Sequence, residues 1–389
     1  MEKLAKKFVT PQDYQRLISE RLYSHRGWLL MVPCTSGLEM CRNIVAAYER
    51  NLKENGIDDK RVPVAYGEFK DGSPGRVFLD GELQTRLPCH VAGSDAYVVQ
   101  CLHNKQLSKS VNDNLMELKL TGRALKVHGA NHITAVLPYL AYSRGDKPTY
   151  MQREPVTSKL VADELLNAGF DAVISYHPHT EAVRGFFEPG IRFIPINGLD
   201  LAVSIAWQYK NRKDAIVIAP DVGSGSTARH FADGLGLDFA ISDKTRKANG
   251  DIDSLGILGH LEGKKIGIGT EDETVTCDTL YRASMWYHQA GLEEIIWIVS
   301  HLKVDERMVK ENGKVLNVLK MMEDMHTKFN VTTIHTTDSI PQTEAFQKLD
   351  FLKIHIIAER LMIAINHLFY EVSISGPFWP NTEQPFFKD

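Results

Sequence analysis

Lys264-Lys-Ile-Gly-Ile-Gly-Thr-Glu-Asp-Glu-Thr-Val-Thr-Cys-Asp-Thr-Leu-Tyr281 is the stretch around which the rest of the chain is organised. Ile266 and Ile268 alternate with glycine, the pattern of a short strand near the centre of a sheet. Glu271 and Asp272 are expected where that strand ends. A Thr-rich turn over residues 274–279 then opens a helix, with Asp278 or Thr279 as its cap. In a parallel α/β sheet, ligands collect at the carboxyl ends of strands, and helix N-termini offer free amides to anions. Two acids followed by a hydroxyl-rich turn suit a ribose there: carboxylates for vicinal hydroxyls, turn amides for a phosphate. A solvated acidic loop that caps a helix accounts for the same residues, so the remainder of the chain must decide.

Outward from this stretch, apolar runs and helical spacing alternate. Strands are expected at 28–33, 95–100, 133–138 and 171–175, then at 215–219, 239–242, 265–269, 294–300, 331–335 and 353–357. Helices fall between them, at 36–54, through Val111, Leu115, Leu118, Gly122 and Leu125, and at 156–168, 199–210, 226–236, 279–290, 314–328 and 358–369. Residues 1–27 read as a helical lead-in, 56–77 as a loop or hairpin insertion, and the tail after Ser375 as irregular. Regular β-α alternation means α/β architecture with mainly parallel sheets flanked by helices. Pro195 and Gly198 punctuate the middle, so the domains are expected at 1–195 and 196–389.

A formal charge of −4 gives no global reason to expect nucleic-acid binding. No apolar run approaches the roughly 20 residues that span a bilayer. The opening Met-Glu-Lys-Leu-Ala-Lys-Lys lacks an apolar signal core. The five cysteines, at 34, 41, 89, 101 and 277, form no C-x-x-C pair and leave an odd count. Reduced thiols and a cytoplasmic setting are therefore expected.

Six segments fall in one order: Phe78-Leu-Asp-Gly-Glu82, Ile133 to Asp146, Arg153-Glu-Pro-Val-Thr-Ser-Lys-Leu160, His179 with Gly185-Phe-Phe187, Pro220-Asp-Val-Gly223, and Asp243-Lys-Thr-Arg246. In that order, over roughly residues 28–370, the chain resembles the ribose-phosphate diphosphokinases, the synthetases of phosphoribosyl pyrophosphate. The resemblance implies two phosphoribosyltransferase-like domains in a homo-oligomer whose adenine pocket is partly supplied by a neighbouring subunit. It also implies transfer of the β,γ-diphosphoryl group of Mg-ATP to the anomeric hydroxyl of ribose 5-phosphate, with release of AMP. Such chemistry needs in-line positioning and cations around the phosphates.

On the matching positions, Lys244 and Arg246 become the catalytic basic pair on a mobile loop. Phe78, Asp80 and Glu82 become the adenine-facing loop, and Arg144 and Asp146 ATP contacts. His179 becomes a ligand of Mg2+, with Asp221 near both metal and ribose. Read without the resemblance, His179 is a hydrogen-bonded loop histidine, residues 244–247 a solvated charge run, and Phe78 a core aromatic beside a polar turn. His177 stands where the family has aspartate, and Gly145 where it has glutamine.

The opening stretch departs further. The family loop reads two acids, two apolar residues, then Asp-Thr-Gly-Gly-Thr. Glu271 and Asp272 keep the acids and are expected to hold the ribose 2- and 3-hydroxyls; Thr274, Thr276 and Thr279 line the turn. The later acid becomes Val275, and the glycine pair becomes Cys277-Asp278. Glycines there let amides close around a terminal phosphate. Cys277 is expected to add bulk and Asp278 repulsion, ~4 kcal/mol for unit charges about 4 Å apart at an effective dielectric of about 20. An acceptor with a free anomeric hydroxyl but no terminal 5-phosphate escapes both, and ADP-ribose is one. The expected function is diphosphoryl transfer to ADP-ribose, as in phage-encoded relatives that rebuild NAD. Ribose 5-phosphate is the alternative acceptor, and a non-catalytic regulatory relative a further one.

Overall fold

Short, largely buried strands covered by helices on both faces set the architecture, and the computed structural model describes it over residues 10–66, 75–107, 109–246, 252–309 and 315–374. The chain divides into two compact units. The first contains α1 (Pro11–Glu20), β1 (Tyr23–Ser24), β2 (Gly27–Pro33), α2 (Leu38–Glu54), the hairpin β3 (Gly75–Val77) and β4 (Leu83–Thr85), β5 (Ser94–Val99), α3 (Val111–Val127), β6 (His132–Leu137), α4 (Thr157–Ala168), β7 (Ala172–Tyr176), α5 (Arg184–Phe187) and β8 (Arg192–Ile196). Its sheet runs β1-β2-β5-β6-β7-β8; β1 is antiparallel and the rest are parallel. β2, β5 and β7 are buried along their whole length, as strands covered on both faces must be. Residues 63–65 join β2 in parallel: the Met31 amide donates to Pro63 O and the Ala65 amide to Met31 O, at 2.9 and 2.8 Å.

The second unit contains α6 (Leu199–Ala206), β9 (Ala215–Ala219), α7 (Gly225–Leu235), β10 (Phe239–Arg246), β11 (Ile252–Leu258), β12 (Ile266–Thr274), α8 (Asp278–Gln289), β13 (Glu294–Leu302), β14 (Arg307–Val309), β15 (Val315–Asn317), α9 (Val318–Lys328), β16 (Val331–Thr337), α10 (Glu344–Gln347) and β17 (Leu352–His355). The sheet order is β11-β10-β9-β12-β13-β16-β17, with only β11 antiparallel. Side chains alternate between two cores. Ile216, Ile218, Trp297 and Val299 meet Leu280, Tyr287, Met322 and Met325 from α8 and α9. Val217, Ile268, Ile296 and Ile298 meet Ala202, Phe231 and Leu235 from α6 and α7. The glycines of β12 are space-filling necessities: a Cβ on Gly267 would lie 2.6 Å from Leu292, and one on Gly269 would lie 2.1 Å from the Trp297 ring.

The last helix, α11 (Ala358–Phe369), returns to the first unit and packs on α2, where Asn366 donates to the Tyr48 hydroxyl (2.8 Å). A single cut near residue 195 therefore misassigns it. Two strand ends differ most from expectation. β12 continues through Glu271 and Asp272 rather than ending before them, and β10 runs on to Arg246 and pairs with β11. β8 is an additional strand at the sheet edge. The expectations for residues 1–9 and for the tail after Ser375 lie outside the described residues.

Candidate active site

The parallel strands of the second unit, numbered as they occur in the chain, stand in the order 2-1-3-4-5-6, and the direction reverses between β9 and β12. Ligands of such sheets bind in the crevice outside the carboxyl ends at that switch point. The last β9-to-β12 partners are Ile218 and Gly269. Beyond them β9 turns through Pro220 into Asp221, while Thr270 to Thr274 remain paired to β13 alone. The switch point thus brings the Asp221 turn and the Glu271 stretch, 50 residues apart in sequence, to one crevice.

Asp221 caps a short 3-10 turn over Val222–Ser224, its Oδ1 accepting from the Ser224 amide at 3.3 Å. Below it, Ser242 Oγ donates to Pro220 O (2.6 Å), and Tyr287 Oη donates to Ala219 O and Ala240 O at 2.9 and 3.1 Å. Burial raises the Tyr287 phenol far above its ordinary range, so it remains a donor. These bonds fix the strand ends from beneath. Glu271 and Asp272 are half-buried consecutive strand residues, whose side chains leave opposite faces. To share one ribose, the two carboxylates must therefore reach it from opposite faces of the strand end.

The turn after β12 corrects two expectations. Cys277 precedes α8 with φ +55 and ψ 4, the left-handed conformation that glycine adopts freely. Its side chain is 1% exposed and packs into the core with Ile216, Ile218 and Leu280, so it adds no bulk to the crevice. Burial holds the Cys277 thiol protonated, pushed up to about 12. Asp278 is gripped by Arg282 one helical turn on, through Nε to Oδ1 and Nη2 to Oδ2, both 3.3 Å. The isolated charge expected to repel a phosphate is thereby countered. Two threonines hold the turn: Thr274 Oγ1 accepts from the Cys277 amide at 3.2 Å, and Thr276 Oγ1 from the Asp278 amide at 3.4 Å. Thr279 sits half-buried in the first turn of α8. Arg282 and the buried Lys303, which meets Glu273 Oε2 at 2.8 Å, escaped the sequence reading. Only the replacement of an apolar residue by Glu273 hinted at a hidden partner.

Lys244 and Arg246 lie in β10, their backbones opposite Leu255 and Ile252 of β11, with a register shift between Thr245 and Arg246. An antiparallel strand pair therefore stands where a loop was expected up to Arg246, and Lys247 is outside the described residues.

In the first unit, Phe78, Asp80 and Glu82 occupy the turn between β3 and β4. The Phe78 amide donates to Glu82 O (2.8 Å), and the Gly81 amide donates to Phe78 O (3.0 Å) with φ +93. Asp80 Oδ1 accepts from the Glu82 amide at 3.1 Å, so this acid also builds the turn. Phe78 is exposed with the Arg76 guanidinium 4.5 Å above its ring, and Leu79 is fully exposed beside it. Phe78 is thus no core aromatic.

Arg144 is exposed and Asp146 half-buried on the turn that follows β6. Gly145 between them lets α4 approach closely: a Cβ there would lie 1.7 Å from Thr157 Oγ1, which a larger residue would have to displace. Ser158 ties this turn to α4 by bonds to Tyr142 O and Gly145 O, at 2.8 and 3.2 Å. At the end of β7, His177 takes φ +41 while its amide donates to Ile196 O (2.8 Å), and its ring meets Tyr176 edge-on. A non-glycine residue at positive φ is uncommon and concentrates at functional sites. His179, two residues on, is exposed.

Among the described residues no group of three or more His, Cys, Asp or Glu is gathered to hold an ion. The Asp221 carboxylate is the kind of oxygen donor that magnesium takes when substrate phosphates and water supply its other ligands.

Residues 73–169 match the family model of the N-terminal domain of ribose phosphate pyrophosphokinase. The ribose-phosphate pyrophosphokinase of Helicobacter hepaticus is 34% identical over 226 residues, 58% of this chain and 69% of that protein. That of Cereibacter sphaeroides is 30% identical over 316 residues, 80% of this chain and 86% of the relative. That of Chromobacterium violaceum is 28% identical over 340 residues, 86% and 96%. Phosphoribosylpyrophosphate synthetase from Mycobacterium smegmatis superposes with a TM-score of 0.71 at 26% identity, covering 88% of this chain and 99% of that one. A strand order that converges the Asp221 turn and the Glu271 stretch on one crevice, with relatives this similar over most of their length, makes the chain a diphosphotransferase of the ribose-phosphate pyrophosphokinase family.

Proposed function

We propose that this enzyme transfers the β,γ-diphosphoryl group of ATP to the anomeric hydroxyl of ribose 5-phosphate. The observation that carries the acceptor is the turn at Cys277: left-handed backbone, side chain in the core, and Asp278 neutralised by Arg282. Such a turn retains the glycine-like shape that closes on a terminal phosphate. The names of the relatives favour the same acceptor.

In this reading Phe78 stacks on adenine, and Asp80 and Glu82 receive its amino group. Arg144 and Asp146 orient the triphosphate. Asp221, Glu271 and Asp272 hold the ribose, and the 274–279 turn holds its 5-phosphate. The anomeric oxygen bonds to the β-phosphorus as the bond to the oxygen bridging the α-phosphate breaks, so AMP leaves and the hydroxyl proton passes to solvent. Lys244 and Arg246 counter charge on the transferring group, where electrostatic stabilisation is worth most. Asp221 would hold the magnesium that ATP carries, which would supply neutralisation of phosphate charge. The exposed Leu79 tip suits a homo-oligomer in which one copy completes the adenine pocket of another, in a cytoplasmic setting.

A second acceptor, ADP-ribose, is favoured by two observations. The Cys277 and Asp278 amides are already taken by threonine hydroxyls, and Val275 offers no carboxylate. Parallel assays of AMP release with magnesium, ATP and each acceptor test the reading. The expected kcat/KM is at least about tenfold higher for ribose 5-phosphate, a preference of ~1.4 kcal/mol. The reverse preference rejects that acceptor in favour of ADP-ribose. Lys244→Ala and Arg246→Ala are each expected to lower kcat by roughly a hundredfold or more with unchanged melting; near wild-type turnover removes their catalytic assignment.

A further inference from the structure

Where the family loop has two apolar residues after its acids, this chain has Glu273 and Thr274. Apolar side chains would seat that strand end by packing alone; here an ion pair does it. Glu273 Oε2 meets Lys303 Nζ at 2.8 Å, and the two side chains are only 5% and 6% exposed. The same lysine acts through its backbone as well, its amide donating to Thr274 O at 2.9 Å. Thr274 in turn accepts the Cys277 amide on its hydroxyl (3.2 Å). One residue beyond the end of β13 thus holds two consecutive residues of β12, and the second of these holds the left-handed turn.

The location matters because β12 has lost its β9 partner beyond Gly269. From Thr270 onward the strand is supported on one side only, along the crevice where Asp221 lies. A strand end open on one edge frays unless something besides the ladder fixes it. Buried ion pairs contribute little net stability compared with an apolar pair of the same volume, since desolvation offsets the attraction. In some proteins their directionality selects one geometry, and that is the role weighed for this pair.

We propose that Glu273 and Lys303 are positioning residues that hold the 274–278 turn at the height needed to receive the phosphate of the sugar acceptor. This rests on the reading of that turn as the acceptor's phosphate site. The pair touches no reacting atom; it acts through Thr274 and Cys277. Its loss raises KM for the acceptor while kcat and KM for ATP stay put.

The test is the double replacement Glu273→Met with Lys303→Leu in the full chain, which removes both buried charges and keeps the volume. KM for ribose 5-phosphate is expected to rise at least tenfold. Melting is expected within a few degrees of wild type, and KM for ATP and kcat within threefold. A folded double variant with unchanged acceptor KM overturns the proposal, as does an equal rise in both KM values. Should the double variant melt below the assay temperature, Glu273→Gln decides instead. It keeps the Lys303 hydrogen bond but not the charge, and about a threefold rise in acceptor KM is expected; no rise overturns the proposal. Glu271→Gln and Asp272→Asn separate the two levels of inference. If they leave acceptor KM unchanged, the acceptor site itself is wrong and the proposal falls with it. If they raise it while the pair variants do not, only the positioning role is lost.

Discussion

Cys277 and Asp278 illustrate how far letters and conformation diverge. In sequence they replace the two glycines a phosphate loop wants; in structure Cys277 keeps the glycine conformation and turns its thiol into the core. The sequence also hid the second half of the electrostatics, since nothing in the motif announces that Arg282, one turn on, grips Asp278. That pairing sets a prediction. Arg282→Ala exposes the Asp278 charge to the acceptor phosphate and is expected to lower kcat/KM for ribose 5-phosphate roughly tenfold, about 1.4 kcal/mol. The effect stays well below the ~4 kcal/mol of a pair about 4 Å apart at an effective dielectric of about 20, because Asp278 is partly exposed and water screens it further. Adding Asp278→Gly to Arg282→Ala should restore activity towards the wild-type value. An unchanged kcat/KM in the single variant means that Asp278 does not face the phosphate, and the repulsion idea is finished.

At the level of elements, the central strands of both sheets were legible, while edge strands and strand ends were not. β9, β12 and β13 announce themselves as apolar runs, whereas the last residues of β12, Thr-Glu-Asp-Glu-Thr, carry no apolar period. They are strand only because β13 is long enough to pair with them. β8 went unread because Pro195 looked like punctuation; an edge strand tolerates it. The glycines of β12 were legible as a pattern but not as a cause, since the Trp297 ring that excludes a Cβ comes from the neighbouring strand. That ring is fully buried and its Nε1 donates to Ser284 Oγ at 2.8 Å, so it cannot swing away. Gly269→Ala is accordingly expected to destabilise the second unit by about 3 kcal/mol, read as a lowered melting temperature. Melting equal to wild type would mean that β12 and β13 move apart at little cost.

Across the whole chain the two units repeat one topology, with residues 63–65 standing beside β2 as β10 stands beside β9. In the second unit the switch point is flanked by the Asp221 turn and the Glu271 stretch. In the first, α3 fills it: Glu117 Oε1 accepts from the Thr35 amide and hydroxyl at 2.8 and 2.7 Å, and Asn114 Oδ1 from Ser36 Oγ at 2.7 Å. Neither that filling nor the return of α11 was readable in sequence, because both are contacts between distant segments. The same holds for His335 and His355, twenty residues apart, whose Nδ1 and Nε2 lie 2.9 Å from one another across β16 and β17. Burial first, then the neighbouring His355 and Lys353, push His335 down to about 4. A histidine whose folded pKa lies below its unfolded value of about 6.5 binds fewer protons folded than unfolded. Its neutral form therefore supports the fold in full above about pH 6.5, and that support is lost as pH falls towards 4, at most about 3 kcal/mol. Wild type should lose more melting temperature between pH 7 and pH 5 than His335→Gln, which cannot take up the proton. Equal losses in the two proteins would mean that acid unfolds the chain through other groups and that the histidine pair is protonated without cost.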